Sequence, residues 1–478
     1  MNGVLMNYIN GQRLEVKSET RIPVFNPARG TLLSEIPDTS ADQVDQAVQA
    51  AKAAQVGWGK LPAIQRAAAL RRISAKIRQN VDRIARVIVE EQGKVLGLAE
   101  VEVAFTADYI DYMAEWARRI EGEIIQSDRP GESIFLHRQP IGVVAGILPW
   151  NFPFFLIARK LAPALVTGNT IVIKPSEETP NNAALFVELL DGLDIPDGVI
   201  NFVFGSGRTT GDALTSHPDV GMISFTGSVE TGSRIMASAA KNITKVNLEL
   251  GGKAPAIVLA DADIPRAAKA ITASRTLNSG QVCNAAERVY VERSITDRFV
   301  TALVDAMKAT RYGDPLGDRP VDMGPLINKS GLDKVNSLVT SAVDQGAEVL
   351  TGGKIADLGA GNHFEPTVLM NCRQDMDIMR KEVFGPVLPI SVVDGLDEAI
   401  ERANDSDFGL TSSIYTQNIA SVFRACNELR FGETYVNREN FEAMQGFHAG
   451  NRKSGIGGAD GKHGLYEYTT THVSYVQI

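Results

Sequence analysis

The sequence predicts an α/β protein with two lobes, and three observations predict it. The first is a change of texture near Ile141, where helical repeats give way to short apolar runs: "IGVVAGILPW", "NTIVIKP", "VINFVFG", "VGMISFTG" and "PAIVLA". Runs of that kind, roughly two or three dozen residues apart, suit parallel strands buried on both faces in successive strand-helix-strand units. The second is that several runs end in glycine, lysine or hydroxyl residues, at the edge where an open α/β sheet binds its ligand. The third is a renewed alternation near Ala286, "ERVYVERS" and then a helix near Ile295 to Thr310, continuing through "FEPTVLMN", "GPVLPISVV" and "TSSIYTQN".

The elements follow in order. The start, "MNGVLMNYINGQRLEVKSE", has no basic segment followed by an apolar one, and no stretch approaches the roughly 18 apolar residues of a membrane span. A cytoplasmic protein is expected. From about Ala41 to Arg119, "ADQVDQAVQAAKAA" and "IQRAAALRRISAKIRQNVDRIARVIVEEQGK" repeat apolar residues at intervals of three and four, a helical layer with one wet face. With 478 residues, 44% hydrophobic, the chain can bury a large core in two or three lobes. A net charge of -9 and the lack of any basic run argue against nucleic acid as a partner. The cysteines Cys283, Cys372 and Cys426 are odd in number and far apart, so they form neither a disulfide framework nor a paired metal site.

The strand ends carry the first chemistry. "FGSGRTTG" places Gly205, Gly207 and Gly211 after one strand, and "FTGSVETG" places Gly227, Ser228 and Gly232 after the next. Glycines let a backbone approach a pyrophosphate, and a helix N-terminus aims N–H groups at it; the plain alternative is a tight strand-to-helix turn. "IKPSE" adds Lys174 and Glu177, suited to ribose hydroxyls or to an ordinary surface pair. Glu249 in "NLELGGKAPAIV" lies 34 residues before Cys283 in "LNSGQVCNAAERVYV", one helical crossover away. That separation allows a base and a nucleophile to converge. Asn151 in "PWNFP" can donate its amide to a developing oxyanion, or serve as a turn former.

"PWNFP", "IKPSE", "FTGS", "LELGGK", "GQVC" and "EVFGPV", in this order, resemble the aldehyde dehydrogenase superfamily, from about Ile22 to the C-terminus. Within it the chain is similar to the bacterial lactaldehyde/glycolaldehyde dehydrogenases. The resemblance implies a Rossmann-like NAD-binding lobe (1–119 and 141–250), an α/β catalytic lobe (251–450) and a β-ribbon oligomerisation element (120–140 and 451–478), assembled as a homotetramer. It implies Cys283 as nucleophile, Asn151 and the Cys283 N–H as oxyanion donors, Glu249 as the base that hydrolyses the thioester, and Lys174 in support. A thiol near its ordinary pKa of roughly 8.5 is only a few per cent thiolate at neutral pH, so the site must assist it. Glu249 favours a free acid over transfer to coenzyme A. For the cofactor, NAD, the resemblance implies Lys174, Ser176, Glu177, Gly207, Gly211, Phe225, Gly227, Ser228, Leu250, Gly251, Lys334, Glu382 and Phe384. Glu177 would repel the 2′-phosphate of NADP. No metal is expected.

The expected substrate is a short α-hydroxyaldehyde such as lactaldehyde or glycolaldehyde. Arg159, Asn284 and His448 stand where relatives that take plain aliphatic aldehydes carry aromatic or apolar residues, and Glu442 can pair with Arg159 or His448 at the same mouth. The plain alternative is four solvated surface residues. A dicarboxylic semialdehyde held by Arg159 is the other substrate reading. Two other readings are a hydrolase pairing Cys283 with His448 or His217, and a non-catalytic relative that keeps the fold.

Overall fold

The computed structural model describes residues 4–16, 18 and 20–478. Its first sheet has eight strands in the order Gln12–Leu14, Asn7–Ile9, Ile200–Phe202, Thr170–Lys174, Val143–Ile147, Met222–Thr226, Lys245–Glu249, Gly455–Ile456. The five from Ile200–Phe202 to Lys245–Glu249 are parallel, and the outer pairings are antiparallel. Every residue of Val143–Ile147 and Thr170–Lys174 is buried, which explains their unbroken apolar runs. Ile147 pairs with Lys174, and Thr226 with Glu249, so the carboxyl ends of these strands share one edge. That edge carries the site.

The second sheet runs Glu348–Thr351, Thr367–Met370, Val387–Val393, Ala286–Glu292, Ala254–Val258, Thr411–Tyr415, Glu433–Val436, parallel except for its first strand. "PAIVLA" reads with the first-lobe runs in the sequence, but Ala254–Val258 lies mid-sheet in the second lobe, between Ala286–Glu292 and Thr411–Tyr415. Gly251 and Gly252 let the chain leave the first sheet there.

The amphipathic region forms the helices Ala41–Trp58, Ala63–Arg78, Val81–Gln92 and Leu96–Glu115. They pack with helix Pro153–Val166, every residue of which is buried. A third sheet joins Thr469–Gln477, Glu132–Pro140 and Glu123–Gln126 in antiparallel register. The expected ribbon segment 451–478 therefore divides: Gly455–Ile456 extends the first sheet, and Thr469–Gln477 builds the third. Among the described residues no helix is long and apolar enough to cross a membrane.

Candidate active site

Cys283 is delivered by a tight coil. After helix Ile264–Thr276 the chain passes through Asn278, Ser279 and Gly280 at φ of 48°, 60° and 74°, three successive residues in the left-handed region. Such a conformation costs about 1–2 kcal/mol at each non-glycine residue and persists only where neighbours enforce it. Here Asn278 Nδ2 donates to the Asn151 carbonyl at 3.0 Å, Ser279 Oγ to the Gly324 carbonyl at 2.8 Å, and Gln281 Oε1 accepts the Ile327 N–H at 2.9 Å. The coil leaves Cys283 half-buried. Asn151 Nδ2 donates to the Gln281 carbonyl at 3.0 Å, which uses one of its two amide hydrogens and leaves one for a ligand.

The double glycine of "LELGGK" has a steric reason. A Cβ on Gly252 would lie 2.3 Å from the Cys283 carbonyl oxygen, and one on Gly251 would lie 2.6 Å from a Glu382 carboxylate oxygen. At Gly252 the clash is with backbone and no side chain fits, whereas at Gly251 a side chain would have to displace the Glu382 carboxylate. The Gly252 N–H donates to Glu382 Oε1 at 2.7 Å.

The Asn151 loop is anchored by a buried ion pair that sequence reasoning missed. Lys94 Nζ meets Glu102 Oε2 at 2.6 Å and donates to the Asn151 carbonyl at 2.8 Å. The other Glu102 oxygen accepts the N–H groups of Phe154 and Phe155 at 2.9 and 3.1 Å, capping helix Pro153–Val166.

Glu249 ends its strand and lines one cavity with Asn151, Arg159, Thr226, Cys283, Asn284, Glu442 and His448. Both its oxygens are buried and accept no hydrogen bond from the described residues. Burial raises its pKa to about 7, against the pull of His448, Arg159 and Lys160. The adjacent Lys160, lowered by the same burial, donates to Thr226 Oγ1 at 2.7 Å.

The four polar positions expected at the tunnel meet here, with two partners that the sequence did not reveal. Arg159 Nε donates to Asp460 Oδ1 at 3.0 Å, its Nη2 also reaches Asp460 Oδ2, and Nη2 lies 3.4 Å from Glu442 Oε1. Asn284 Nδ2 donates to Glu442 Oε2, and Asn284 Oδ1 is buried without a donor among the described residues. His448 Nδ1 lies 2.7 Å from Glu433 Oε1, and its Nε2 3.6 Å from Glu249 Oε2. Burial and Arg159 depress His448, but Glu433, Glu442 and a contact with Cys283 hold its pKa well above the usual histidine value. His217 instead pairs with Asp45 at 3.0 Å, away from this cavity.

Lys174, Ser176, Glu177, Gly207, Gly211, Phe225, Gly227 and Ser228 line a separate cleft of about 570 Å³ that shares Thr226 with the first cavity. Lys174 Nζ lies 3.2 Å from Glu177 Oε2, and the Gly207 N–H donates to Glu177 Oε1 at 3.2 Å. Burial opposes the ionisation of Glu177, but Lys174 and these N–H donors lower its pKa. Lys174, expected also in support of the chemistry at Cys283, lines this cleft and not the Cys283 cavity. Ser228 Oγ accepts the Thr231 N–H at the start of helix Val229–Ala239, and Arg208 and Arg234, not singled out in the sequence, stand in the cleft wall. Leu250 belongs to the first-lobe core, and Gly251, Lys334, Glu382 and Phe384 lie beyond it toward the second lobe. A Cβ on Gly232 would meet Leu250, the exposed Lys334 pulls on Glu382, whose pKa burial and Glu287 raise to about 7, and Phe384 packs edge-on to Trp150 of the cleft at 5.5 Å.

Residues 14–473 match the profile of the Aldehyde dehydrogenase family. This chain belongs to that family. The lactaldehyde dehydrogenase of Escherichia coli is 60% identical over 470 residues, 98% of each chain. The crystal structure of the Escherichia coli enzyme covers all of both chains with a TM-score of 0.99 at 59% identity. A D-glyceraldehyde dehydrogenase (NADP(+)) of Thermoplasma acidophilum is 39% identical over 98% of this chain and 95% of its own. A betaine aldehyde dehydrogenase of Staphylococcus aureus, solved in complex with NAD+, is 34% identical with a TM-score of 0.96, covering 99% of this chain and 94% of its own. Membership makes this aldehyde dehydrogenase an enzyme and displaces both the hydrolase and the non-catalytic readings. The residues missed by sequence reasoning, Lys94, Glu102, Lys160, Glu433 and Asp460, are single charges with no motif around them. Burial marks all of them but Glu433, which is marked by its contact with His448.

Proposed function

We propose that this aldehyde dehydrogenase oxidises a short α-hydroxyaldehyde, lactaldehyde or glycolaldehyde, to the carboxylic acid with NAD. The observation that carries the reading is the convergence of Arg159, Asn284, Glu442 and His448 on the cavity of Cys283. The Cys283 thiolate attacks the aldehyde carbon, and a C–S bond forms as the carbonyl π pair moves to oxygen. The oxyanion takes the free hydrogen of the Asn151 amide and the Cys283 N–H; losing one such donor typically costs about 10²–10³ in rate.

The cleft fits a dinucleotide: a helix N-terminus at Ser228 for phosphate, Lys174 and Glu177 for ribose hydroxyls, and Gly207 and Gly227 for close approach. A dinucleotide held there by Lys174, Glu177 and the turns at Gly207 and Gly227 would supply the acceptor for the hydride that leaves the substrate carbon. Cys283 then holds a thioester. Glu249, a buried carboxylate without a protein donor, takes a proton from water as the water oxygen attacks the acyl carbon. The C–S bond breaks, the electron pair returns to sulfur, and the acid departs. The charge of Glu177 disfavours the 2′-phosphate of NADP. Glu249 favours water over coenzyme A as the acyl acceptor.

Arg159 is not a free cation, because Asp460 and Glu442 hold it, and this weakens the semialdehyde reading. Asn284 Oδ1 and His448 Nε2 suit a substrate hydroxyl instead. A site that leaves such groups unpaired loses about 1–3 kcal/mol for each, or about tenfold to a hundredfold in kcat/KM. The test is kcat/KM for lactaldehyde, glycolaldehyde, propionaldehyde and succinic semialdehyde, with NAD and with NADP. Lactaldehyde should lead propionaldehyde by at least about tenfold, and equality of the two would sink the reading. We further propose lobe roles as divided in the sequence, a cytoplasmic location, and a homotetramer built through the third sheet. The support for assembly is the apolar surface there: Ile124 is 81% exposed and Tyr475 67%.

A further inference from the structure

Glu287 follows Cys283 closely, on strand Ala286–Glu292, but lies outside the catalytic cavity. It is buried, and so are Lys253 and Arg275 beside it. Glu287 Oε2 meets Lys253 Nζ at 2.6 Å and accepts the Val383 N–H at 2.9 Å. Its Oε1 lies 2.8 Å from Arg275 Nη1 and accepts the Phe384 N–H at 3.0 Å. Burial opposes the charge, but Lys253 and Arg275 lower the pKa below the usual carboxylate value, so Glu287 is ionised. A carboxylate held between two buried cations is ordinarily a clamp for the core. Here each partner belongs to a segment that carries a site residue.

Arg275, in the last turn of helix Ile264–Thr276, reaches forward to the coil that delivers Cys283: Nη1 donates to the Ala286 carbonyl at 2.9 Å and Nη2 to the Gly280 carbonyl. Lys253 follows Gly252, whose N–H holds Glu382 and where a Cβ would strike the Cys283 carbonyl. Val383 and Phe384 continue the chain from Glu382, and the Phe384 ring meets Trp150 of the cleft. Phe384 has a φ of 55°, a conformation that costs a non-glycine residue about 1–2 kcal/mol. The two N–H groups converging on Glu287 enforce it. The two backbones also touch, since a Cβ on Gly280 would lie 2.3 Å from the Gly385 carbonyl oxygen. Glu287 thus bonds the loop of Glu382 directly and the coil of Cys283 through Arg275. We propose that Glu287 is a positioning residue that fixes loop 382–385 against the coil, so that a dinucleotide seated on that loop sets where the thiol stands. This rests on the reading of Glu382 and Phe384 as cofactor residues.

Glu287→Asp is the test, because aspartate keeps the charge that Lys253 and Arg275 need but draws the carboxylate back by about 1.5 Å. A misplacement of about 1 Å costs up to about 10²-fold, so the first turnover of NADH formation, read by rapid mixing with lactaldehyde, should slow by about tenfold to a hundredfold. A second readout needs no turnover: the rate at which iodoacetamide alkylates Cys283, followed by mass spectrometry with and without saturating NAD. Bound NAD should change that rate by about fivefold or more in the parent, and the effect should be lost in E287D. Where E287D does not fold, Glu287→Gln combined with Lys253→Met removes one charge of each sign and should show the same two losses. A clamp that serves only the core would lower Tm in the variant while first-turnover rate per folded molecule and the NAD effect on alkylation stayed as in the parent. That result would overturn the proposal, as would a parent thiol indifferent to bound NAD. Calorimetry that detects no NAD binding by the parent would instead overturn the cofactor reading beneath it.

Discussion

Replacing Glu249 by glutamine should make the enzyme slower and more stable at once. The carboxyl is buried, accepts no hydrogen bond from the described residues, and has its pKa raised to about 7 by burial. Because the folded value lies above the unfolded one, the neutral acid is the form that folding favours. Its stabilising share is complete below the unfolded pKa of about 4.5 and is lost as pH rises through 7. At about 1.4 kcal/mol for each tenfold step, the carboxyl costs stability relative to a neutral side chain by about 1 kcal/mol at pH 5.5, where only the unfolded chain ionises, and by about 3 kcal/mol at pH 8. Glutamine has nearly the same shape and no charge. For 478 residues, at an unfolding entropy of about 2 cal/mol/K each, 3 kcal/mol corresponds to about 3 °C in Tm. Calorimetry on E249Q should therefore show a Tm above the parent by about 3 °C at pH 8 and by about 1 °C at pH 5.5. Rapid mixing should show a burst of NADH followed by a steady state slower by about 10²–10⁴. A Tm difference independent of pH would refute the electrostatic argument. Equal loss of burst and steady state would refute the assignment of Glu249 to thioester hydrolysis.

Cys283→Ala should abolish aldehyde oxidation with the fold intact. Mild alkylation of the native parent at neutral pH, read by mass spectrometry, should label half-buried Cys283 and exposed Cys426 but spare Cys372, whose thiol burial pushes up to about 12. Labelling of Cys372 would show its core to be open. Arg159→Leu should destabilise the protein by about 3–5 kcal/mol in urea titrations, because it strands the carboxylate of Asp460, and adding Asp460→Asn should recover part of the loss. No recovery would place the cost in packing rather than charge. Light scattering should give a multiple of 51.5 kDa for the parent, and Ile124→Lys with Tyr475→Lys should bring it toward that mass; a parent already at 51.5 kDa would end the assembly proposal.

The legible features were those with a local physical cause. Short unbroken apolar runs bounded by glycine and proline suit strands buried on both faces, so Val143–Ile147 and Thr170–Lys174 were readable, as was the amphipathic helical layer from Ala41. Cys283, Glu249 and Asn151 were readable because each sits in a glycine- or proline-marked turn whose chain geometry is written in its own residues. "PAIVLA" was less so, since a strand carries its burial in its sequence but not the name of its sheet. The charged cluster shows the boundary most sharply. Arg159, Asn284, Glu442 and His448 could be proposed from their positions in the chain, yet Asp460, which holds Arg159, lies 301 residues away from it with no motif of its own. Lys94 and Glu102 read as ordinary surface charges on helical segments until folding removes both from water. The sequence by itself determined the fold class and the likeness to a dehydrogenase, because those follow from local pattern. Only the tertiary structure decided which charges are paired and which carboxylate is left without a donor, because pairing and burial are properties of distance in space and not along the chain.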